Sequence, residues 1–458
     1  MAAGPAAALR LDALGPAGVY RTRTREVVTD TGGDAVLETS VVPRLYVTRT
    51  ITAQRRAAPL PVAERGAALD RAAELFTSAT LAGLGFTDYV DLTCRITGLP
   101  ITVAETGART VATAVAAAFD AVRAALPART ELEWRHQSEG AIWARRGEVL
   151  GVHAPGNAPG VHGLWPQALA LGYRVAVRPS RREPLTAHRL VSALRAAGFR
   201  DVDAACLPTG HSGADDLVRA ADLALVYGGQ DVADRYADDP SVFVNGPGRA
   251  KILITAEQDW RAHLDVIVDS VAALAGTACV NATAVLYEGD ARPLARAVAE
   301  RLSALPELAA ADPRAVLPTS AIGNARAVAD QLARCAVAAE PILGAEQVVA
   351  DLGGGVAALR PAVHLLDSPD PVTLGTELPF PCVWVSGWSR DNGLAALRDS
   401  LVVTAITADQ MLLDSLAREP SVTNLYCGAV ATHHGAPHIP HDGFLADFLM
   451  RNKGFVRR

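Results

Sequence analysis

The stretch that decides the fold is EVLGVHAPGNAPGVHGLWPQALALGYRVAVRPS, residues 148–180. Unbroken apolar runs stand at both of its ends, and between them lie a Pro/Gly-rich turn and an apolar segment of helical spacing. Within the stretch, this pattern predicts a strand at 148–153, a helix at 164–171 and a strand at 174–178. The same alternation continues after it with a predicted helix at 185–197 and a strand at 223–227. Strands that alternate with helices in this way pair in parallel, with right-handed crossovers. The stretch therefore predicts an α/β fold built on a doubly wound parallel sheet.

The regions on both sides extend this prediction. Residues 251–442 repeat the alternation of strands and helices, which predicts a second α/β domain. Residues 62–127 have helical spacing, whereas residues 130–148 alternate apolar and polar side chains and predict a β-hairpin. Short strands are expected nearer the N-terminus, at 40–42 and 45–47. The predicted units are a first domain at 1–129 and 149–250, a second domain at 251–442, and small β segments at 130–148 and 443–458.

Composition and charge limit the partners that we expect. The 458 residues include 43 basic and 49 acidic side chains, with a net charge of −6 and no long block of one sign. A nucleic-acid surface needs clustered lysine and arginine, so no nucleic-acid partner is expected. No segment approaches the roughly 20 apolar residues that cross a bilayer, and residues 1–18 lack a signal-peptide pattern, so we expect a cytoplasmic protein without a membrane partner. Reduced thiols are expected because the six cysteines are scattered (Cys94, Cys206, Cys279, Cys335, Cys382 and Cys427).

Three polar residues in separate turns are candidates for one reaction centre. Cys279 offers a thiol nucleophile, Asn157 an amide that can hold an oxyanion, and Glu377 a carboxylate that can hold a cofactor sugar. Each residue also has a structural interpretation, because a cysteine in an apolar segment is usually a small buried hydrophobe. An asparagine in a Pro/Gly turn is often only a turn residue, and a loop glutamate is often a solvated charge. The order of the three turns along the chain favours the functional interpretation.

From about Glu148 to Lys453 the chain resembles the aldehyde dehydrogenase superfamily. Five segments carry the resemblance: Pro155–Pro159 is similar to the family's Pro-Trp-Asn-Phe-Pro, Ala176–Ser180 to Val-Lys-Pro-Ser, Tyr227–Gly229 to Thr-Gly-Ser, Gly276–Cys279 to Gly-Gln-x-Cys, and Glu377–Pro381 to Glu-Ile-Phe-Gly-Pro. The resemblance implies two doubly wound parallel-sheet domains, the first binding NADP and the second carrying the nucleophilic cysteine. It also implies that the two small β segments mediate oligomerisation, as a homo-dimer or homo-tetramer. Trp134 and Trp143 would favour such pairing if they were exposed.

The resemblance further implies a role for each matching residue. Cys279 would attack a carbonyl carbon as a thiolate, and the Asn157 amide and the Cys279 backbone N–H would stabilise the resulting oxyanion. Glu377 would accept hydrogen bonds from the nicotinamide ribose. Gly228 and Gly229 would let the backbone approach the pyrophosphate closely.

One departure from the family pattern bears on the direction of the reaction. Oxidising members carry a glutamate, in Glu-Leu-Gly-Gly-Lys, that activates the water which hydrolyses the thioester. The corresponding residue here is Asn245, and an amide cannot accept a proton near neutral pH. The chain thereby resembles the acylating branch, the luminescence-type fatty-acyl reductases. This favours NADPH-dependent reduction of a thioester or acyl-adenylate to an aldehyde through acyl-Cys279, with oxidation of an aldehyde to a carboxylic acid, or a catalytically silent partner subunit, as alternatives.

Cofactor preference is indicated by a group of arginines after the second strand. Arg178, Ser180 and Arg181, with Arg182 beside them, stand in the family's adenine-ribose region, where many NAD-dependent members carry a glutamate. Guanidinium groups bind phosphate through bidentate, charge-assisted hydrogen bonds, which favours NADP(H) while leaving NAD(H) possible. The alternative is that Arg181 and Arg182 are solvated helix-cap charges.

Four histidines lie near the C-terminus, where the family's substrate entrance is found: His433, His434, His438 and His441. Their spacing does not match the i, i+4 pairing of a helical zinc site, so no metal is expected. We expect His433 and His434 to line the substrate pocket. The substrate would be a small acyl compound or aldehyde, which an acyl-activating enzyme or a carrier could deliver.

Overall fold

The computed structural model describes residues 9–127, 130–131, 138–345 and 347–458. Its strands are β1 (Leu9–Leu11), β2 (Ala13–Gly15), β3 (Gly18–Tyr20), β4 (Arg25–Thr29), β5 (Ala35–Ser40), β6 (Thr130–Glu131), β7 (Glu139–Arg145), β8 (Val149–His153), β9 (Arg174–Arg178), β10 (Ala204–Cys206), β11 (Leu223–Tyr227), β12 (Val242–Asn245), β13 (Ala250–Ile254), β14 (Ala282–Tyr287), β15 (Thr319–Ala321), β16 (Ala339–Leu343), β17 (Val349–Gly353), β18 (Val356–Leu359), β19 (Ala362–Leu366), β20 (Cys382–Gly387), β21 (Ser400–Ile406), β22 (Val422–Cys427) and β23 (Met450–Val456). Its helices are α1 (Arg44–Arg56), α2 (Val62–Ser78), α3 (Phe86–Thr97), α4 (Ile101–Ala116), α5 (Ala118–Ala124), α6 (Pro166–Ala170), α7 (Leu185–Ala197), α8 (His211–Ala220), α9 (Gln230–Tyr236), α10 (Leu264–Ala272), α11 (Arg292–Ser303), α12 (Ile322–Cys335), α13 (Pro371–Leu374), α14 (Gln410–Arg418) and α15 (Leu445–Leu449). None of the helices in these ranges is long and apolar enough to cross a bilayer.

The first large sheet contains the two strands of the stretch that predicts the fold. Its strand order is β12-β11-β8-β9-β10-β2-β3, in which β8 to β12 are parallel and β2 and β3 are antiparallel at one edge. Both β8 and β9 are almost completely buried and carry apolar residues at consecutive positions. Strands that are covered by helices on both faces need this pattern. The parallel core confirms the predicted doubly wound sheet.

The second large sheet has the strand order β16-β19-β20-β14-β13-β21-β22, and every neighbouring pair except β16 with β19 is parallel. Adjacent residues on one strand point to opposite faces of a sheet. Accordingly, Leu253 and Trp384 belong to one buried apolar cluster, whereas Ile252 and Val383 belong to another. The second sheet is therefore also covered on both faces, and the predicted α/β class is confirmed. A separate antiparallel sheet has the order β15-β18-β17.

The strand expected at 45–47 is wrong, because these residues belong to α1. Pro43 immediately precedes the helix, a position at which its missing N–H costs nothing. Val47 and Ile51 are four residues apart and both buried, and they belong to the same apolar cluster as Val149 of the first sheet. A three-residue apolar run is compatible with either structure, and packing against the sheet selects the helix.

The third sheet joins the two segments that the sequence predicts to be small β elements. Its order is β23-β7-β6, with β7 antiparallel to β23 and parallel to β6. The described residues of 130–148 therefore do not pair as a simple hairpin, since the antiparallel partner of β7 comes from the C-terminus. Trp143 is only 7% exposed and packs within the chain, so it gives no argument for an intermolecular contact. Trp134 lies outside the described residues.

The C-terminal segment returns from the second sheet to the first. Strand β22 ends at Cys427 on the edge of the second sheet. Helix α15 begins at Leu445, and both Leu445 and Leu449 are fully buried in the apolar core around the first sheet. The chain between them must therefore cross from one sheet to the other, and it carries His441 and Asp442 with it.

Candidate active site

Cys279 lies in a turn that leads into strand β14 and is held in an unusual conformation. Leu274 and Ala275, just before it, have φ angles of 54° and 60°. A left-handed backbone costs a residue other than glycine roughly 1–2 kcal/mol, so neighbouring contacts must hold this turn. Asn281 provides such contacts, because its Oδ1 accepts a hydrogen bond from Ala278 N at 2.9 Å and its Nδ2 donates to two backbone oxygens upstream. Buried Asn281 therefore fixes the nucleophile turn from its C-terminal side.

The turn is in direct contact with two other loops. A Cβ atom on Gly276 would lie 2.3 Å from the backbone N of Pro381, and one on Gly248 would lie 1.9 Å from the backbone O of Cys279. The Glu377 carboxylate accepts hydrogen bonds from Gly248 N at 3.2 and 3.3 Å, and burial raises the pKa of this carboxyl despite those donors. Glu377 and Cys279 are 98 positions apart in the sequence, and the structure brings both of them against the loop that contains Gly248.

The Cys279 thiol contacts a histidine that the sequence analysis did not assign to the reaction centre. His441 Nε2 lies 3.4 Å from Cys279 Sγ, and His441 Nδ1 lies 2.5 Å from Asp442 Oδ2. The second oxygen of Asp442 accepts a hydrogen bond from Gly246 N at 3.2 Å, and Asn424 Nδ2 donates to the backbone O of His441 at 2.7 Å. The cysteine, histidine and aspartate therefore form a connected chain of hydrogen bonds that is anchored at both ends.

This chain of contacts sets the charge of the imidazole. Burial alone lowers the pKa of His441, but the hydrogen bonds to Asp442 and Cys279 outweigh burial and raise the pKa to about 10. His441 is consequently an imidazolium near neutral pH, with Nε2–H directed at the sulfur. Such a cation favours the thiolate form of a neighbouring cysteine, which is the nucleophilic form.

Asn157 reaches the same turn from the first domain. Its side chain is exposed, and Nδ2 donates to the backbone O of Thr277, two residues before Cys279, at 3.4 Å. The amide predicted to hold an oxyanion is thus placed beside the nucleophile. A second N–H on the same nitrogen is available for an oxygen that develops negative charge on a substrate bound at Cys279.

Asn245, at the end of β12, lies between the nucleophile and the glycine turn after β11. Its side chain is 6% exposed, and Oδ1 has no hydrogen-bond partner among the described residues. Its backbone O accepts from Gly228 N at 3.2 Å, and a Cβ atom on Gly246 would lie 2.5 Å from the O of Gly228. The Gly228 turn and the loop that touches Cys279 therefore pack on each other.

The residues around this cleft fit the dinucleotide that the resemblance implies. Gly229 immediately precedes α9. The nearest atom to its missing Cβ is a side-chain oxygen of Asp231 at 3.6 Å, so its backbone is open to a phosphate. Asn245 Oδ1 is a buried acceptor without a partner, and a buried acceptor of this kind normally has one. Glu377 adds a carboxylate within the cleft.

The arginines predicted to bind the adenosine end lie in different environments. Arg178 is 5% exposed; its Nε donates to the backbone O of Thr209 at 3.3 Å, and burial lowers its pKa. Arg181 is half exposed and forms an ion pair with Glu26. Ser180 Oγ accepts from the backbone N of Arg182, at 3.1 Å. Arg178 thus faces the protein interior, whereas Arg181 and Arg182 are exposed, so a ligand at the surface can reach them.

His433 and His434 lie in a cavity of about 760 Å³ that does not include the nucleophile. Its lining consists of residues from β22 and the following loop, among them Tyr426 and Cys427. His433 Nε2 lies 3.4 Å from an oxygen of Asp269, and the backbone O of His434 accepts from Tyr426 Oη at 2.8 Å. The structure therefore brings Asn157, Glu377 and the glycine turns to Cys279 but does not bring these two histidines there. The described residues contain no group of three potential metal ligands.

Comparison with known proteins agrees with the geometry. Residues 23–365 match the family model described as the aldehyde dehydrogenase family. The NAD-dependent aldehyde dehydrogenase from Sinorhizobium meliloti has 18% identity and a TM-score of 0.83, over 98% of this chain and 94% of that chain. The indole-3-acetaldehyde dehydrogenase from P. syringae, solved with NAD+, has 16% identity and a TM-score of 0.81, over 97% and 96%. An aldehyde dehydrogenase from Physcomitrella patens, solved with succinate, has 14% identity and a TM-score of 0.82, over 99% of both chains.

A sequence search of curated proteins finds no match. The family match nevertheless covers more than half of the chain, and the solved structures share its fold from end to end. The chain therefore belongs to the aldehyde dehydrogenase family and is an NAD(P)-dependent oxidoreductase that acts on the aldehyde or oxo group of its substrate.

Proposed function

We propose that the protein reduces an activated acyl group to an aldehyde with NADPH, through an acyl-Cys279 intermediate. The observation that carries this proposal is the side chain of Asn245. It is a buried amide at the end of β12, just before the loop that touches the nucleophile, and the resemblance matches it to the catalytic glutamate of oxidising members of the family. An amide cannot take a proton from water, and general-base help of that kind is worth roughly 10²–10⁴-fold. An acyl group on Cys279 would therefore persist long enough to be reduced.

The contacts of the cleft assign a task to each residue. The Cys279 thiolate, favoured by the His441 imidazolium, attacks the acyl carbon. The Asn157 amide and the Cys279 backbone N–H donate hydrogen bonds to the oxygen as it becomes negative, a contribution of about 3–4 kcal/mol for each donor. That first adduct would then collapse and expel the thiol or nucleotide that carried the acyl group, which leaves the acyl group on Cys279. NADPH, held in the site, would supply the hydride to the carbonyl carbon of this thioester. The adduct formed in this way would collapse with the C–S bond breaking and its electron pair returning to Cys279, and the aldehyde would be released.

The cofactor assignment rests on three groups of residues. Glu377 would accept hydrogen bonds from the nicotinamide ribose, and Gly228 and Gly229 would lie against the pyrophosphate. Arg181 would bind the 2′-phosphate in place of its present partner Glu26, with Ser180 and Arg178 behind it. This favours NADP(H). NAD(H) remains the alternative, and one structural relative was solved with NAD+.

We also propose that the domain at 1–129 and 149–250 binds the cofactor and that the domain at 251–442 carries the nucleophile. The third sheet supports oligomerisation as a homo-dimer or homo-tetramer, since β23 is an edge strand and most of its side chains are exposed. The acyl substrate would be a small molecule supplied by an acyl-activating enzyme or a carrier. The 760 Å³ cavity beside His433 and His434 would bind part of the acyl chain or of its carrier.

The test is to incubate purified protein with NADPH and a series of acyl thioesters, following the loss of NADPH absorbance and trapping the aldehyde as a hydrazone. Equal amounts of NADP+ and aldehyde support the proposal. Production of acid and NAD(P)H from an aldehyde without added thiol would instead support the oxidative alternative. Cofactor binding without turnover in either direction would support the silent-subunit alternative.

A matched pair of variants tests the argument about Asn245 itself. Asn245→Glu restores a carboxylate, and we expect it to accelerate hydrolysis of the acyl-enzyme about 10-fold or more in the absence of NADPH. Asn245→Gln has the same added length without a base, so it should show no such gain. Equal hydrolysis rates in the two variants would contradict the role given to residue 245.

A further inference from the structure

We infer that Glu26 sets how strongly the protein prefers NADP(H), because its carboxylate competes with the 2′-phosphate for the Arg181 guanidinium. The inference rests on the proposed function and deepens it, since that proposal gives Arg181 to the 2′-phosphate and assigns no role to Glu26. Glu26 is thereby a specificity-determining residue that comes from the N-terminal sheet and not from the doubly wound sheet.

The Glu26 carboxylate reaches the candidate adenosine end of the site from a separate part of the fold. Arg181 follows the carboxyl end of β9, and Ser180 beside it touches the Asn157 turn, since a Cβ atom on Gly156 would lie 2.3 Å from Ser180 Oγ. Glu26 lies on β4, in the sheet of order β1-β5-β4, and its Oε1 accepts a hydrogen bond from Arg181 Nη2. This contact joins the carboxyl edge of the parallel strands, where doubly wound sheets bind dinucleotides, to a strand outside that sheet.

The position of Glu26 on its strand directs it at Arg181. Neighbouring residues on a strand point to opposite faces. Arg25, next to Glu26, lies on the other face and forms ion pairs there with Asp12 at 2.8 Å and with Glu38 at 3.3 Å. Among the described residues, the ion-pair partner of Glu26 is Arg181 alone. The charge of Glu26 is therefore balanced by the same guanidinium that the proposed function gives to the phosphate.

The two exposed arginines at this edge differ in their contacts. Arg181 is paired with Glu26, whereas the Arg182 guanidinium forms no hydrogen bond or ion pair within the described parts of the chain. A phosphate can thus contact Arg182 without breaking any contact of that side chain. It reaches Arg181 only when the ion pair with Glu26 opens.

The ion pair limits how well Arg181 can bind a second anion. A guanidinium binds phosphate best through two parallel N–H groups, and Glu26 occupies one of its terminal nitrogens. A ligand that needs the unpaired guanidinium binds with its affinity reduced by the fraction of protein in which the pair is open. Solvent-exposed ion pairs favour the closed state by up to about fivefold. We therefore expect Glu26 to weaken NADPH binding by about 3- to 5-fold.

NAD(H) escapes this competition because it has a hydroxyl in place of the 2′-phosphate. A hydroxyl can donate a hydrogen bond to a carboxylate as well as accept one from a guanidinium, so the ion pair can stay closed while NADH binds. Glu26 therefore lowers the affinity for NADP(H) and not the affinity for NAD(H). It reduces the preference that Arg181 would give without it.

The test titrates the full chain by calorimetry with NADPH and NADH, and with 2′,5′-ADP and 5′-AMP, which carry only the adenosine end. Glu26→Gln keeps the length of the side chain and an oxygen acceptor but removes the charge. We expect it to bind NADPH and 2′,5′-ADP about 3- to 5-fold more tightly, and NADH and 5′-AMP within about twofold of wild type.

Glu38→Gln is the matched control, because Glu38 belongs to the same sheet and its ion pairs are with Arg10 and Arg25. It should change none of the four affinities. An unchanged NADPH affinity in Glu26→Gln, or an equal gain for NADPH and NADH, would overturn the inference.

Combining Glu26→Gln with Arg181→Ala separates competition for the guanidinium from simple repulsion of the phosphate. Two residues that act through one contact have non-additive effects. Once Arg181 is alanine there is no guanidinium to release, so Glu26→Gln should then change NADPH affinity by less than about twofold. A gain as large as the one in the wild-type background would overturn the competition.

The outcomes also distinguish this inference from the proposed function, because binding is measured without an acyl substrate. Nucleotide affinities that change as expected, in a protein that reduces no acyl donor, would refute the proposed reaction and leave the role of Glu26 in place. If Arg181→Ala weakens NADPH binding and Glu26→Gln has no effect, only the role of Glu26 is refuted. If Arg181→Ala binds NADPH as tightly as wild type, the proposed contact with the 2′-phosphate is refuted together with the inference.

Discussion

Replacing Gly248 with alanine should disable the site while leaving the fold intact. The added Cβ would lie 1.9 Å from the backbone O of Cys279, 2.5 Å from its carbonyl C and 2.7 Å from its Cα. All three are backbone atoms, so no side-chain rotation can relieve the contact. The Gly248 N–H also donates to the Glu377 carboxylate, and any movement of the loop disturbs that contact too.

The size of the displacement sets the expected effect. Carbon–oxygen contacts are ordinary from about 3.4 Å, so the loop and the nucleophile turn must separate by about 1.5 Å. Overpacking of this kind typically costs about 1–3 kcal/mol of stability. Misplacement of a reacting group by about 1 Å can cost roughly 10²-fold in rate. Turnover should therefore fall about 100-fold or more, with only a modest loss of thermal stability.

The assay compares kcat/KM, iodoacetamide alkylation of Cys279 and the melting temperature of the same preparations. Gly323→Ala is the control, because no atom lies within 4 Å of its missing Cβ and it lies in helix α12, where alanine is favoured. Gly248→Ala with wild-type turnover and alkylation would refute the close approach of the two loops. A variant that fails to fold would show instead that the contact is essential to the second domain.

Three further changes have defined outcomes. Cys279→Ala should abolish turnover and acyl labelling while leaving cofactor affinity, measured by titration of NADPH fluorescence, within about twofold. Asp442→Asn keeps an oxygen for Gly246 N but removes the charge that raises the pKa of His441. The imidazole of His441, followed by NMR, should lose its charge only as the pH rises towards 10 in wild type and at lower pH in Asp442→Asn, and coincident titration curves would contradict this. Arg181→Ala should weaken NADPH binding about 10-fold in calorimetry and leave NADH binding unchanged, as loss of one charge-assisted hydrogen bond to phosphate implies.

The sequence predicts the two large sheets because their strands are buried on both faces. In the sequence such strands are unbroken runs of apolar residues, as β8 and β9 show. The segments between the strands have the length of crossover helices and the helical spacing of apolar residues. Short elements near the surface carry weaker signals. Residues 45–47 fit a strand or a helix equally well, and only the contact of Val47 and Ile51 with the first sheet decides between them.

The candidate site is predictable only where its residues sit in recognisable turns. Asn157, Cys279 and Glu377 each stand in a segment that resembles the family, and the structure places Asn157 and Glu377 against the Cys279 turn and the loop that touches it. His441 does not stand in such a segment. Its surroundings in the sequence, with three other histidines nearby, are those of a histidine-rich loop. Its contact with Cys279 joins residues 162 positions apart and depends on the return of the chain to the first sheet. Only the position of helix α15, fixed by buried leucines, brings it there.

The amide at residue 245 and the charged ring at residue 441 bear on the same proposed acyl-enzyme. Hydrolysis needs a group that accepts a proton from water, and the Asn245 amide cannot do so. An acylated Cys279 carries no negative charge, so one of the two contacts that raise the pKa of His441 would be lost when the acyl-enzyme forms. The contact with Asp442 would remain and favour the charged ring, which cannot accept a proton from water. Under the proposed function, neither residue would therefore serve as a base for hydrolysis, and the acyl group would remain for reduction.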